Sequence, residues 1–162
     1  MPQLYYGDEI NLTGGDDPAN RKDFPGGFPG DEKNAFTEAG RNDMEQRMHD
    51  WVQALMQLRL HAPALQKGPQ QTLLADKDTL AFVRGPEAAH TCTIAPKENR
   101  YVIVVNNDLS AQDISVPVGS SSVAGCTRYV SAFPNQAAAT LVAGRLQVHL
   151  PAQEIGIFQA QP

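Results

Sequence analysis

The sequence predicts a mainly β protein, an antiparallel β-sandwich preceded by a strand–loop–helix segment. Three observations carry this. Apolar residues alternate with period two through much of residues 63–162. One amphipathic helix lies ahead of that region. A long loop rich in Gly, Pro, Asp and Asn lies ahead of the helix.

Residues 1–41 begin with a short β-like run, Leu4-Tyr5-Tyr6, and continue as a loop of about thirty residues, a length that is usually functional. Turn punctuation is dense in Thr13-Gly14-Gly15-Asp16-Asp17-Pro18 and in Phe24-Pro25-Gly26-Gly27-Phe28-Pro29-Gly30. The helix is expected from about Asp43 to His61. Asn42 can cap it, and Glu45 stands three residues on, the spacing of a capping box. Met44, Met48, Trp51, Leu55 and Leu58 draw one apolar stripe, widened by Val52 and Met56, and read as packing. Pro63 ends the segment, because the residue before proline is pushed out of helical geometry.

Strands are expected near Thr72–Ala75, Thr79–Arg84, Arg100–Asn106, Asp113–Pro117, Thr127–Ala132, Thr140–Val142, Arg145–Leu150 and Glu154–Gln159. Leu146, Val148 and Leu150 alternate with Gln147 and His149, marking one dry and one wet face. Tyr101-Val102-Ile103-Val104-Val105 is apolar throughout, so that strand should be central. Ala143-Gly144 suits a tight hairpin. Many short strands without intervening helices indicate a sandwich.

The length of 162 residues fits one domain, or a small domain plus part of another. A net charge of −5 offers no broad basic surface for nucleic acid or anionic lipid, so neither is expected as a partner. The acidity is uneven: residues 1–62 hold eleven Asp/Glu against six Lys/Arg, whereas residues 63–162 hold seven of each. A boundary near Pro63 follows, with 1–62 and 63–162 as separate parts. No apolar run approaches the ~20 residues of a membrane span. The start, Met1-Pro2-Gln3-Leu4-Tyr5, does not read as a signal peptide, and localisation stays open. Cys92 and Cys126 read as two free or buried thiols; a disulfide between them cannot be read from spacing. Asp16, Asp17, Asp23 and Asp31 lack the spacing of a calcium loop, and the four histidines lie apart without zinc-like patterns. No metal or cofactor is expected.

The most informative stretch is Pro2-Gln3-Leu4-Tyr5-Tyr6-Gly7-Asp8-Glu9-Ile10 followed by Gly14-Gly15-Asp16-Asp17-Pro18-Ala19-Asn20-Arg21. It resembles the eighth strand and following loop of the α-amylase family barrel, glycoside hydrolase family 13, nearest the cyclomaltodextrinase and neopullulanase branch. Asp23-Phe24-Pro25-Gly26-Gly27-Phe28 and Leu58-Arg59-Leu60-His61-Ala62-Pro63-Ala64-Leu65 also look like that branch. The resemblance implies that residues 1–62 are the end of a (β/α)8 barrel (strand 8, active-face loop, helix 8). It implies that residues 63–162 are the Greek-key sandwich called domain C.

In such a barrel the site lies at the C-terminal ends of the strands, which puts the polar loop on the active face. The resemblance assigns Asp17 and Arg21 to holding a glucose unit. A carboxylate accepts from vicinal sugar hydroxyls and a guanidinium donates to them. The plainer reading is that the two only organise the loop. Asp8 and Glu9 do not make a retaining pair, because adjacent residues on a strand end point to opposite sides. By the resemblance they are structural, and the catalytic carboxylates come from strands four, five and seven, all before Met1. Met1 then reads as an internal residue.

The expected function is a C-terminal fragment of an α-glucan-hydrolysing retaining glycosidase, inactive alone, whose partner is an α-glucan or maltooligosaccharide. Two alternatives stand beside it. One is a stand-alone carbohydrate-binding sandwich. The other is an interaction domain, or homo-oligomer, acting through the helix stripe.

Overall fold

The computed structural model describes residues 3–86, 92, 99–133 and 138–162. It divides into two compact units, Met1–Gln57 and Leu58–Pro162. Pro2 and His90 lie outside the described residues.

The second unit is a two-layer antiparallel sandwich. Its strands are β1 (Gln70–Ala75), β2 (Thr79–Arg84), β3 (Arg100–Asn106), β4 (Gln112–Pro117), β5 (Arg128–Ser131), β6 (Ala139–Val142), β7 (Arg145–Leu150) and β8 (Glu154–Gln161). One sheet has the order β1-β2-β3-β8-β5 and the other β4-β7-β6. Strand β3 pairs with β8 in the first sheet, and β4 with β7 in the second. The chain therefore changes layers after β3, β4, β5 and β7, and both β3 and β5 lie beside the distant β8, the non-sequential pairing of a Greek key. All eight expected strands are present, with ends displaced by at most two residues.

Period-two patterning explains the packing. Val102, Val104, Val83, Ala81 and Phe158 from one sheet meet Ile114, Val116, Leu146, Val148 and Leu150 from the other in a single buried cluster. Strand β3 is central as expected, and Tyr101 and Ile103 on its second face are buried too. A short helix, α2 (Pro63–Lys67), not expected from the sequence, lies against β3. Pro63 stands in its first turn, where a missing N–H does no harm. Ala143 and Gly144 both have positive φ, 48° and 74°, so the β6–β7 hairpin has the backbone that suits strand twist.

One buried carboxamide ties the corner shared by two of these layer changes, β3 to β4 and β7 to β8. The Asn106 Nδ2 group donates to the carbonyls of Ser110 (2.9 Å), Leu150 (3.3 Å) and Pro151 (2.7 Å). Its Oδ1 accepts from the Asp108 backbone N–H at 3.0 Å. The end of β3, the entry to β4 and the turn from β7 to β8 are thereby held by one side chain.

Two expectations need correction. Cys92 and Cys126 are not separate thiols but a disulfide, with Cα atoms 5.0 Å apart. The fold carries both side chains to the same core cluster, inside the Cα range that a bridge requires, and a separation of 34 residues encodes none of that. Residues Leu4-Tyr5-Tyr6 form no strand, because no segment among the described residues pairs with them.

The bridge closes a loop long enough to contribute about 4 kcal/mol on the chain-entropy account. Reduction, or Cys126→Ser, should lower the sandwich melting temperature by roughly 10 °C or more, read by calorimetry with and without reductant. Asn106→Ala strands several buried carbonyls and should cost roughly 2–3 kcal/mol in urea unfolding of the same unit.

Candidate functional site

The candidate site belongs to the first unit, on the loop that precedes helix α1 (Asp43–His61). This loop is not structureless. It contains short 3-10 turns at Asp8–Ile10, Ala19–Arg21 and Glu38–Gly40. Gly26 and Asn34 form an isolated antiparallel bridge, and the Ala35 N–H donates to the Pro25 carbonyl at 2.7 Å.

Asp17 and Arg21 are brought together. Arg21 Nη2 lies 2.7 Å from Asp17 Oδ1, and the two side chains are 70% and 62% exposed in the order Arg21, Asp17. The intervening 3-10 turn, with the Ala19 N–H donating to the Asp16 carbonyl at 2.7 Å, sets that spacing. Exposure matters here, because both groups keep most of their hydration and can exchange it for ligand hydroxyls without a large desolvation cost.

Asp8 and Glu9 do something else. Asp8 Oδ2 accepts from the Tyr5 N–H at 2.8 Å, and Glu9 Oε2 accepts from the Gly7 N–H at 2.9 Å. Each carboxylate closes its own turn, around a glycine with φ 93°. Among the described residues no three His, Cys, Asp or Glu side chains converge as metal ligands.

A second polar centre escaped the sequence reading. Asp31 Oδ2 accepts from the backbone N–H groups of both Gly26 and Phe28, each at 2.9 Å. The available signal is an Asp three residues after Phe28 in a Gly/Pro-rich stretch, where a short carboxylate can satisfy turn donors. The result is a stiff loop from which Phe28 and Phe36 protrude, 63% and 66% exposed.

The loop is anchored to the helix. Asn42 Oδ1 accepts from the N–H groups of Met44 and Glu45, both at 3.0 Å, and Glu45 Oε2 accepts from the Asn42 N–H at 2.9 Å. This is the expected capping box. Lys33 also pairs with Glu45 Oε1. The Lys33 hydrogen bond, then the one from Asn42, hold the Glu45 carboxyl below the usual carboxylate range.

No protein-family profile matches the chain. Individual proteins do. An amylopullulanase of Thermoanaerobacter thermohydrosulfuricus is 33% identical over 84 residues, 52% of this chain and 5% of that protein. The solved debranching enzyme of Nostoc punctiforme is 25% identical, with 96% of this chain and 27% of that one aligned at a TM-score of 0.64. An Anoxybacillus α-amylase aligns with 98% of this chain and 28% of its own at 21% identity and a TM-score of 0.67. A structure of AmyP with maltose covers 96% and 30% at 19% identity and a TM-score of 0.66. The chain is similar to a C-terminal portion of α-amylase-family enzymes. It spans less than a third of each of these relatives.

The capping box makes a pH signature. A depressed Glu45 pKa contributes stability that is present above the ordinary Glu value and is lost as pH falls through the folded value. Helical ellipticity of α1 should therefore drop on acidification into the carboxylate range. Glu45→Gln should lower helicity at neutral pH and flatten that part of the pH curve.

Proposed function

We propose that this chain is the C-terminal part of a retaining α-glucan hydrolase and that Asp17 and Arg21 hold a glucose unit of its substrate. The catalytic carboxylates then belong to a preceding portion of the parent, and the chain alone turns nothing over. The exposed Asp17–Arg21 pair carries the reading. Fixed at 2.7 Å, it offers acceptor and donor side by side, the combination that vicinal hydroxyls of a pyranose accept. Asp8 and Glu9 each use one carboxylate oxygen to close a local turn, which fits a structural role. Retaining chemistry further requires two carboxyls facing one bond at ~5 Å.

The relatives support the substrate class. The amylopullulanase, α-amylase and debranching enzyme are α-glucan enzymes by name, and AmyP holds maltose. A stand-alone carbohydrate-binding sandwich is less well supported. Among the described residues of the second unit, the exposed large apolar side chains are Leu60, Leu80, Leu109, Val130 and Val142, and none can stack on a sugar ring. Self-association through α1 is a second reading, favoured by the exposure of Met44, Trp51 and Met56.

The purified chain should release no reducing sugar from soluble starch, cyclodextrin or maltotriose. Calorimetry should find weak maltotriose binding that Arg21→Ala removes. Turnover that persists through purification would place a catalytic pair inside these residues and sink the proposal.

A further inference from the structure

We propose that Phe28 and Phe36 form an aromatic platform that stacks against a glucosyl ring of the α-glucan, a contact separate from the polar grip of Asp17 and Arg21. This rests on the reading of the loop as substrate-facing, and it adds a residue class which that reading does not contain.

The two rings flank one glycine. A Cβ built on Gly26 would lie 2.5 Å from the Phe28 ring and 2.8 Å from the Phe36 ring, so both rings close over bare backbone that no other residue would leave open. Phe36 is braced from behind by Phe24, with ring centroids 4.6 Å apart and planes inclined by 31°. Phe24 is half-buried, whereas Phe28 and Phe36 are 63% and 66% exposed. All six phenylalanines lie among the described residues, and only these two are exposed. Phe normally withdraws from water. Here the backbone holds it out.

The holding is specific. Asp31 accepts from the Phe28 N–H, and Asn34 Oδ1 accepts from the Phe36 N–H at 3.0 Å. Thr37 Oγ1 donates to the Asn34 carbonyl, and Arg41 Nη1 donates to the Ala35 carbonyl, both at 2.9 Å. Gly27 takes a φ of 78°, and a Cβ there would strike the Asn34 side chain at 2.9 Å. A loop stitched in this way has its ordering entropy settled before a ligand arrives. Rigid aromatic faces edged by polar groups suit a ligand with an apolar C–H face and a hydroxyl rim. A pyranose is such a ligand.

Titration of the labelled chain with β-cyclodextrin, followed residue by residue through its amide resonances, tests this. Perturbation at Gly26, Phe28 and Phe36 is expected, with roughly tenfold weaker binding in Phe28→Ala/Phe36→Ala. Phe36→Tyr should keep the affinity, and unchanged α1 resonances in the alanine variant would show that the unit still folds. Perturbation confined to Asp17 and Arg21 overturns the platform and leaves the functional reading standing. Perturbation confined to the rings supports the platform and removes Asp17 and Arg21 from the substrate. Silence at both sites up to the solubility limit overturns both. Binding of the dye ANS at the rings with no response to cyclodextrin marks a bare apolar patch and overturns the platform.

Discussion

The sandwich depends on keeping two sheets dry on their facing sides while the chain passes from one to the other. Backbone groups at such a crossing leave their ladder and would be buried without partners. Asn106 meets that demand with one carboxamide, supplying donors to three carbonyls on two different connections. The pairings β3–β8 and β4–β7 are then fixed from the same corner, and the core of Val102, Val104, Leu146, Val148 and Phe158 fills between them. The Cys92–Cys126 bridge acts on the same cluster from another side. Polar and covalent constraints define the topology, and apolar burial supplies most of the stability.

The first unit is held by different means. Among its described residues only Ile10 and Ala35 are fully buried apolar side chains, so burial orders it less than it orders the sandwich. Side chains bonded to nearby backbone do the ordering instead: Asp8, Glu9, Asp31, Asn34 and Asn42 each accept from amides within five residues. Such bonds contribute about 1 kcal/mol each and need no core.

Legibility in the sequence followed the same division. The eight strands and α1 were readable because period two and period 3.6 leave residues such as Leu146, Val148 and Leu150, or Asn42 and Glu45, at diagnostic spacings. The central place of β3 was readable because five consecutive apolar residues need cover on both faces. What was not readable depended on distant partners. Leu4-Tyr5-Tyr6 has strand composition but no neighbour to pair with. Cys92 and Cys126 meet only once the layers close. Helix α2 is five residues long, below the length at which periodicity speaks. At the candidate site, Asp17 and Arg21 were reachable from sequence, while Asp31 and the exposure of Phe28 and Phe36 arise from turn geometry that residue spacing does not encode.

A loop proposed to bind sugar faces two opposed requirements. It must present hydroxyl partners that stay wet, and it must keep apolar faces in water without letting them collapse. Hydrophobic burial alone would draw Phe28 and Phe36 inward, as it does Phe158 in the sandwich. Only backbone hydrogen bonds, together with glycines that leave no Cβ in the way, can set rings outward at fixed angles. The density of Gly, Pro, Asp and Asn in residues 13–34 is therefore more than a sign of irregularity. It supplies the left-handed turns at Gly27 and Gly30 and the carboxylate and carboxamide acceptors that hold them. The sandwich, free of that conflict, can follow plain alternation, which is why its fold is easy to read.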